Sequence, residues 1–211
     1  NGVINLNTLQ QSAGDLVLTT NGTGDATVVN NAAIDFGAST VGGNLSATAS
    51  AGTITQNGGA LTVAGTSAFT TSANDATITL TDAANQFTGA VSLISTDSDT
   101  NNEEAVQLTN SIATILGGST ESGSLVVISN SGKISQTGAL DVDTTSSFTA
   151  GTNEIDLSDA TNEFSGLVTV TGGVTTLKDA SDLSASLTTI GTTEITAVNG
   201  LTVDGTVTGA T

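Results

Sequence analysis

The chain has 211 residues and a formal net charge of −18, because 20 acidic side chains are balanced by only two lysines and no arginine. It contains no His, Cys, Pro, Met, Trp or Tyr, which excludes zinc sites built from Cys and His as well as a Ser-His-Asp triad. Such an acidic chain is repelled by nucleic acid and by anionic membrane surfaces, and no apolar run approaches the ~18 residues of a membrane-spanning helix.

The composition predicts strands and turns rather than disorder. Apolar residues make up 36% of the chain and the mean hydropathy is +0.18, whereas disordered acidic chains are poor in Val and Ile. Val, Ile and Thr favour strands, and Gly and Asn favour the turns between them. No window of about 10 to 12 residues has the apolar spacing of a helix. The sequence therefore predicts an all-β protein.

Pairs of apolar residues with one residue between them recur along the chain. This spacing places both side chains on the same face of a strand. Gly, Asn, Asp and Ser lie between the pairs and mark the turns. The pairs are Leu61/Val63, Ile78/Leu80, Val91/Leu93, Val106/Leu108, Leu125/Val127, Leu140/Val142, Ile155/Leu157, Val168/Val170 and Leu201/Val203.

The pairs are grouped in a longer period. Three short strands, at Ile54, Leu61 and Phe69, are followed by a restart of the pattern at Ile78, and later restarts fall near Val106, Ile134, Ile155, Leu177 and Ile195. Three short strands per turn at a nearly constant period are typical of a parallel β-helix, in which each coil pairs with the next. We expect about nine or ten coils. An antiparallel sandwich also has short alternating strands, but it gives no reason for the sequence to repeat.

A longer repeat is superimposed on this period, since residues 52–93 match residues 132–170 at an offset that falls from 80 to 77. The pattern is already under way at Asn1 and continues to Thr211. We therefore interpret residues 1–211 as a single β-helical section of a longer or end-to-end stacking protein. The matched positions are Ile54/Ile134, Gln56/Gln136, Leu61/Leu140, Phe69/Phe148, Ile78/Ile155, Leu80/Leu157, Asp82/Asp159, Asn85/Asn162, Phe87/Phe164 and Gly89/Gly166.

The matched apolar positions form the predicted core, and four matched polar positions form predicted turns. Asp82, Asn85, Asp159 and Asn162 lie in the segments TDAANQF and SDATNEF, where such side chains bond to the local backbone. The predicted core residues are Ile54, Leu61, Val63, Phe69, Ile78, Leu80, Phe87, Ile134, Leu140, Val142, Phe148, Ile155, Leu157 and Phe164.

Several strings resemble the repeat regions of large bacterial exoproteins of the filamentous-haemagglutinin type, a family that includes two-partner-secreted adhesins and biofilm-matrix proteins. They are GTITQNGGALTV, ATITLTDAANQFTGAV, GKISQTGALDV and EIDLSDATNEFSGLVTV. The resemblance covers about residues 45–203 and rests on degenerate repeats. It implies a right-handed β-helical shaft, export to the cell surface and a role in adhesion or aggregation. It transfers no catalytic residue to this chain.

One polar segment is a candidate calcium site. Asp97, Asp99, Asn101 and Glu103 alternate as in the first half of a calcium-binding loop. The pattern then departs from such loops, because Asn102 stands where Gly is needed and Leu108 where Glu is needed. The alternative is a solvated loop inserted between two coils.

Two other functions compete with a structural role. The acidic pairs Asp141/Asp143, Asp156/Asp159 and Asp179/Asp182 could serve a carbohydrate-active module, although the chain has no Arg, His, Trp or Tyr to bind a sugar. The triplets Thr53-Ile54-Thr55, Thr77-Ile78-Thr79 and Thr206-Val207-Thr208 suggest ice binding, although their spacing is irregular.

The function that the sequence favours is the structural shaft of a secreted, fibrous bacterial adhesin or biofilm-matrix filament. We expect an extracellular or cell-surface protein that is not an enzyme and requires no cofactor, with calcium as the one candidate ligand. The expected partners are further copies or neighbouring repeats of the same chain, stacked axially, and a surface polysaccharide. We expect no nucleic-acid partner and no membrane insertion.

Overall fold

The computed structural model describes residues 2–96 and 104–208. These residues form a parallel β-solenoid of about nine turns, which confirms the predicted fold class, and none of them lies in a helix that could cross a membrane. In chain order the strands are β1 (Ile4–Leu9), β2 (Ala26–Asn30), β3 (Ile34–Val41), β4 (Leu45–Ala49), β5 (Ile54–Val63), β6 (Ser67–Thr71), β7 (Ile78–Leu80), β8 (Gln86–Phe87), β9 (Val91–Ser95), β10 (Val106–Asn110), β11 (Thr114–Leu116), β12 (Ser119–Glu121), β13 (Leu125–Ser129), β14 (Ile134–Gln136), β15 (Leu140–Val142), β16 (Ser146–Thr149), β17 (Ile155–Leu157), β18 (Glu163–Phe164), β19 (Leu167–Gly172), β20 (Thr175–Asp179), β21 (Leu183–Thr189), β22 (Thr193–Ala197) and β23 (Leu201–Val207).

The strands form two sheets that face each other across the interior. The first sheet runs in the order β1-β2-β4-β6-β9-β11-β14-β17-β20-β22, with β12, β15 and β18 beside this path. The second runs β3-β5-β7-β10-β13-β16-β19-β21-β23, with β8 beside it. In the second half of the chain a turn contains three strands, for example β13, β14 and β15, as the sequence predicts.

The strands pair in parallel with strands of the adjacent turns, although β8 pairs only with β5 and β18 only with β15. Paired residues of successive turns lie from 17 positions apart, as in Val168 and Ala185, to 28 positions apart, as in Ile78 and Val106. The longest interval includes the segment between β9 and β10. Turns of unequal length are therefore accommodated between strands, and the register within the sheets is kept.

Each turn consists of two half-turns, one in each sheet, and the half-turns are of two kinds. A short half-turn is one straight strand of four to six residues, such as β4 or β13. A long half-turn bends in the middle and contains either one long strand, such as β5, or two short ones, such as β14 and β15. From β2 to β9 the order is short, long, short, long, short, long, short, and the same order repeats from β10 to β19.

This unit of seven half-turns equals three and a half turns, so equivalent strands of successive units lie on opposite sheets. The short half-turns of the first unit, β2, β4, β6 and β9, are in the first sheet, and those of the second unit, β10, β13, β16 and β19, are in the second sheet. Accordingly Phe69 and Phe148 match in sequence but belong to different sheets. A third unit starts at β20 with its short strand back in the first sheet.

The core is one continuous column of apolar side chains between the sheets. All fourteen predicted core residues are buried within it. Phe36, Phe69 and Phe87 stack edge to face at centroid distances of 6.1 and 5.8 Å, and Phe148 meets Phe164 in the same way at 6.0 Å. Burial of these side chains is the main source of stability, since the charges of the chain are repulsive.

Glycine is required where the chain passes close above the previous turn. Gly52 and Gly132 occupy equivalent corners and have φ values of +150° and +131°. A Cβ atom on Gly132 would lie 2.8 Å from the backbone nitrogen of Ala113, and one on Gly52 would lie 2.8 Å from that of Ala33. Both the backbone conformation and the close approach therefore exclude a side chain.

Candidate functional site

The most extensive buried polar site in the first unit is an amide pair formed by Gln56 and Asn85. Gln56 Nε2 donates to Asn85 Oδ1 at 2.6 Å, and Asn85 Nδ2 donates back to Gln56 Oε1 at 3.0 Å. Asn85 also accepts from the backbone N–H of Leu61 at 2.8 Å and donates to the carbonyl oxygens of Leu80 and Thr109. The Asn85 side chain therefore joins three successive turns and satisfies backbone groups that the bend of the long half-turn leaves unpaired.

The second unit contains the same pair on the other sheet. Gln136 Nε2 donates to Asn162 Oδ1 at 2.8 Å, and Asn162 Nδ2 donates to Gln136 Oε1 at 3.0 Å. Asn162 also accepts from Leu140 N–H and donates to the carbonyl oxygens of Leu157 and Lys178. Both asparagines are 0% exposed, so they bond far beyond the local turn in which the sequence places them.

Asp82 and Asp159 stabilise the turns that precede these asparagines. Asp82 Oδ1 accepts from Ala84 N–H at 2.8 Å, and Asp159 Oδ1 accepts from the N–H and the hydroxyl of Thr161 at 2.9 and 2.7 Å. The hydrogen bonds from the Thr161 side chain and backbone lower the pKa of Asp159. These carboxylates are bonded within their own turns, as in an Asx turn.

A second set of polar residues lies at the start of each unit, and the sequence reasoning missed it. Asn30 ends the first strand of the first unit, and it exchanges hydrogen bonds with both the N–H and the carbonyl of Gln11. Asn110, the matching residue of the second unit, does the same with Phe87, and Asp179 accepts from Phe164 N–H. The offset of the long repeat, which relates Asn30 to Asn110, is the signal that could have found them.

The outer face of the second unit's long half-turns is acidic. Asp141 and Glu163 are direct neighbours on β15 and β18, and both side chains are exposed. The pKa of Asp141 is raised, first by partial burial and then by the charges of Asp143 and Glu163. Near this face, Lys133 and Glu154 form an exposed ion pair with an N–O distance of 3.9 Å.

An acidic side chain of the same unit points into the core. Glu121 on β12 is 0% exposed, and neither of its carboxylate oxygens has a hydrogen-bond partner among the residues that the structure describes. Burial, followed by the charge of Asp141, raises its pKa well above the ordinary value for Glu. Its counterpart in the first unit is Val41, which is also buried. No motif or repeat in the sequence singles out Glu121.

The bounds of the two structural units coincide with two sequence matches to a known protein family. Residues 23–94 and 103–171 each match a family described as repeats of unknown function (DUF5649), and together they make up more than half of the chain. The chain belongs to the DUF5649 family. No curated protein and no solved structure matches it significantly. The first match begins just before β2 and ends within β9, and the second begins just before β10 and ends within β19. Each match therefore covers seven half-turns. A DUF5649 unit therefore corresponds to three and a half turns.

The candidate calcium residues lie at the boundary between the two DUF5649 units. Asp97, Asp99, Asn101 and Glu103 fall outside the described residues. Within residues 2–96 and 104–208, no group of three or more Asp and Glu side chains is arranged to bind a metal ion.

The acidic pairs considered for carbohydrate chemistry differ in their surroundings. Asp182 lines a depression of about 300 Å³ together with Ser165 and Gly200. Another depression of about 200 Å³, near the first turns, is lined by residues that include Leu16 and Asp35. The pairs Asp141/Asp143 and Asp156/Asp159 lie on the outer side of the first sheet and line neither depression.

Not every threonine hydroxyl of the proposed ice-binding triplets is available to bind ice. Thr55 donates its hydroxyl to Asp35 Oδ1 at 2.9 Å. A longer row of hydroxyls, which includes Thr206 of the third triplet, lies on the outside of the second sheet of the DUF5649 solenoid. The row consists of Thr149, Thr171, Thr188 and Thr206, which are register partners on β16, β19, β21 and β23.

Proposed function

We propose that the chain is the structural shaft of a secreted, fibrous bacterial adhesin or biofilm-matrix protein, and that it acts at the cell surface without catalysing a reaction. The observation that supports this proposal most is the continuity of both sheets, which run through both DUF5649 units and into a third, partial set of half-turns. Because each turn pairs only with its neighbours, such a solenoid grows along one axis. The number of units then sets the length of the spacer.

The last turn supports growth by axial stacking. Leu201, Val203 and Val207 on β23 are 46 to 51% exposed, and their register partners on β21, Leu183, Ala185 and Thr189, are buried. A further turn, from the same chain or from a second copy, would cover these side chains and pair with the edge of β23. Such a head-to-tail contact does not close on itself and produces a filament.

The charge distribution supports lateral association that depends on ionic conditions. The outward side chains of the short half-turns in both DUF5649 units are uncharged, whereas the long half-turns of the second unit carry the exposed Asp141 and Glu163 and the half-buried Asp156. Since short half-turns change sheets between units, each shaft has uncharged faces on opposite sides. We propose that shafts associate through these faces and that calcium, by screening the acidic faces, increases the association. The uncharged outward residues are Thr27, Val29, Ser46, Thr48, Ala68, Thr70, Ser92 and Ile94 in the first unit and Gln107, Val126, Ile128, Ser147, Thr149, Leu167, Thr169 and Thr171 in the second.

Surface display tests the adhesive role. Bacteria that do not aggregate would display the chain, and the rate at which the cells settle and the retention of cells on polysaccharide-coated surfaces would be measured. The matched control is the same display of Ile134→Asp, in which a charge in the core prevents folding. We expect faster settling only with the folded chain. Equal settling of both strains, or release of reducing ends from the polysaccharide, contradicts the proposal.

The threonine row favours ice binding as a second candidate function. Thr149, Thr171, Thr188 and Thr206 are spaced regularly because parallel strands lie about 4.8 Å apart. A thermal-hysteresis measurement tests this function with Thr171→Lys as the matched variant. If the chain binds ice, the unmodified chain should lower the freezing point below the melting point, and Thr171→Lys should abolish this gap. If the chain does not alter ice growth, ice binding is excluded.

A further inference from the structure

Glu121 lies inside the solenoid at the junction between the two repeat units. Its strand, β12, belongs to the first long half-turn of the second unit and pairs with β9, the last strand of the first unit. On the other side β12 pairs with β15. The register partners of Glu121 are Ser95 and Val142, and both are buried. The carboxyl group therefore contributes to the contact between the units.

The equivalent position in the first unit is apolar. Val41 is the counterpart of Glu121, and its register partner Val63 is in turn the partner of Phe87. All three are buried, so this column of the first unit is an apolar stack. In the second unit the same column is interrupted by a carboxyl group that has no hydrogen-bond partner in the described part of the chain. A buried carboxylate in this state is strongly unfavourable, and the neutral acid is much less so.

The described strands around Glu121 provide no positive charge. β9, β10, β11 and β13 contain no titratable side chain. β15 contributes Asp141, with Asp143 just after it, and β18 contributes Glu163. At the neighbouring corner Glu104 is buried, and its Oε1 accepts from Asp75 N–H at 2.9 Å. Every described charge facing this region is therefore acidic and opposes the ionisation of Glu121.

We propose that Glu121 makes the junction between the two repeat units a pH-dependent opening point of the solenoid. At acidic pH the neutral carboxyl group packs in the core, and both sheets are continuous across the junction. At higher pH the carboxylate forms and requires water, so the strands beside it, β9, β12 and β15, open locally. The first unit, with Val41 at this position, has no such response.

The direction of the pH dependence follows from proton binding. Because burial favours the protonated form, the folded chain binds more protons at Glu121 than the unfolded chain does. Below the ordinary Glu pKa of about 4.3, the group is protonated in both states and has no effect on stability. As pH rises from there towards the higher pKa of the folded state, stability is lost, and above that pKa the loss is complete.

The test compares urea unfolding of the unmodified chain, Glu121→Gln and Glu121→Val between pH 4 and pH 8. Glu163→Gln is the matched control, because it removes an exposed charge from the same region. Within the titration window, we expect the ratio of the unfolding constants of the unmodified chain and Glu121→Val to rise about tenfold per pH unit. Parallel pH profiles for these two proteins, or an equal effect of Glu163→Gln, overturn the proposal.

Hydrogen exchange then distinguishes local opening from a uniform loss of stability. After correction for the intrinsic exchange rate, we expect β9, β12 and β15 to lose protection between pH 5 and pH 8, and β4 and β6 to keep it. In Glu121→Val all five strands should stay protected. Equal loss of protection in the first unit and at the junction would refute an opening point at Glu121.

Discussion

Gln56 and Asn85 are joined by two reciprocal amide hydrogen bonds, although they are 29 positions apart in the chain and lie on different turns. The pair closes the bend of the long half-turn, where the ladder of strand pairing is interrupted. Gln136 and Asn162 repeat the arrangement in the second unit. The same device therefore occurs on both sheets.

Replacement of Asn85 by Ala is expected to destabilise the solenoid by about 3–5 kcal/mol, because it leaves buried groups of Gln56, Leu61, Leu80 and Thr109 without their partners. Chemical unfolding measures the change. Asn162→Ala is the matched variant and should have a similar cost, whereas Asn57→Ala at an exposed position should cost far less. Similar small effects of all three substitutions would mean that the amide pair is not important for stability.

The fold was predictable because its evidence is local in the sequence. Alternating pairs such as Ile78 and Leu80 identify the strands, and the repeated Gly, Asn and Asp identify the turns. Asn85 and Asn162 were recognised because they repeat at matched positions. Gln56 and Gln136, which bond to them in the structure, were recognised as matched positions in the same way. That each Gln bonds to an Asn of the next turn could not be derived, because the lengths of the turns, and hence the register between them, vary.

Two features depend on register and were therefore missed. The long repeat is visible in the sequence as an offset in residue number. Only the strand pairing shows that one unit consists of seven half-turns, so that equivalent strands of the two units lie on opposite sheets. Glu121 is followed by Ser122 and Gly123, which locally resembles an exposed turn. Only its pairing with Ser95 and Val142 shows that the side chain points inward.

Asp141→Asn is expected to stabilise the chain at pH 7 and low salt, by less than about 1 kcal/mol because the group is largely exposed. The pKa of Asp141 is raised in the folded state, so its ionisation above the ordinary Asp pKa of about 3.9 opposes folding. The gain should disappear near pH 3, where the group is neutral in both states, and should become smaller in ~1 M salt, which screens Asp143 and Glu163 but leaves the cost of partial burial.

Thermal unfolding of Asp141→Asn and the unmodified chain at pH 3 and pH 7, each at low and high salt, measures this effect. Thr62→Asn is a suitable control, since Thr62 occupies the equivalent outward position of the first unit without a charge. A gain that persists at pH 3 would indicate that the amide improves packing or hydrogen bonding and that relief of repulsion is not the cause.

Gly132→Ala is expected to destabilise the chain more than Gly151→Ala. Both glycines have positive φ values, but the +60° of Gly151 lies in the left-handed region that alanine reaches at a cost of about 1 kcal/mol, whereas the +131° of Gly132 lies outside that region and costs alanine more. A Cβ atom on Gly132 would also lie 2.8 Å from Ala113, whereas one on Gly151 meets nothing within 4 Å among the described residues. The difference between the two variants in urea unfolding measures the combined cost of the backbone conformation at Gly132 and of the close approach between turns. Equal effects would mean that the corner can move apart.

Removal of one whole unit should leave a folded solenoid. Deletion of residues 26–105 joins the chain before β2 directly to β10, which begins the second unit in the same way as β2 begins the first. The remaining half-turns keep their order, although each half-turn from β10 onward changes to the opposite sheet. Because the interior is built from equivalent columns on both sheets, this exchange needs no new packing. We expect cooperative unfolding and the β-type circular dichroism of the full chain.

The control for this deletion removes a single half-turn, residues 43–51, which contain β4. This places the long half-turns β3 and β5 next to each other and moves every later strand to the other sheet without restoring the order of the unit. The bend of β3 then lies against the straight strand β6, and the bend of β5 against the straight strand β2, whereas the strands from β5 onward keep their own neighbours. We expect this much smaller deletion to destabilise the chain more than the deletion of a whole unit does, because it mismatches β2, β3 and β5. If instead the half-turn deletion folds and the unit deletion does not, the three-and-a-half-turn unit is not the element that specifies the solenoid.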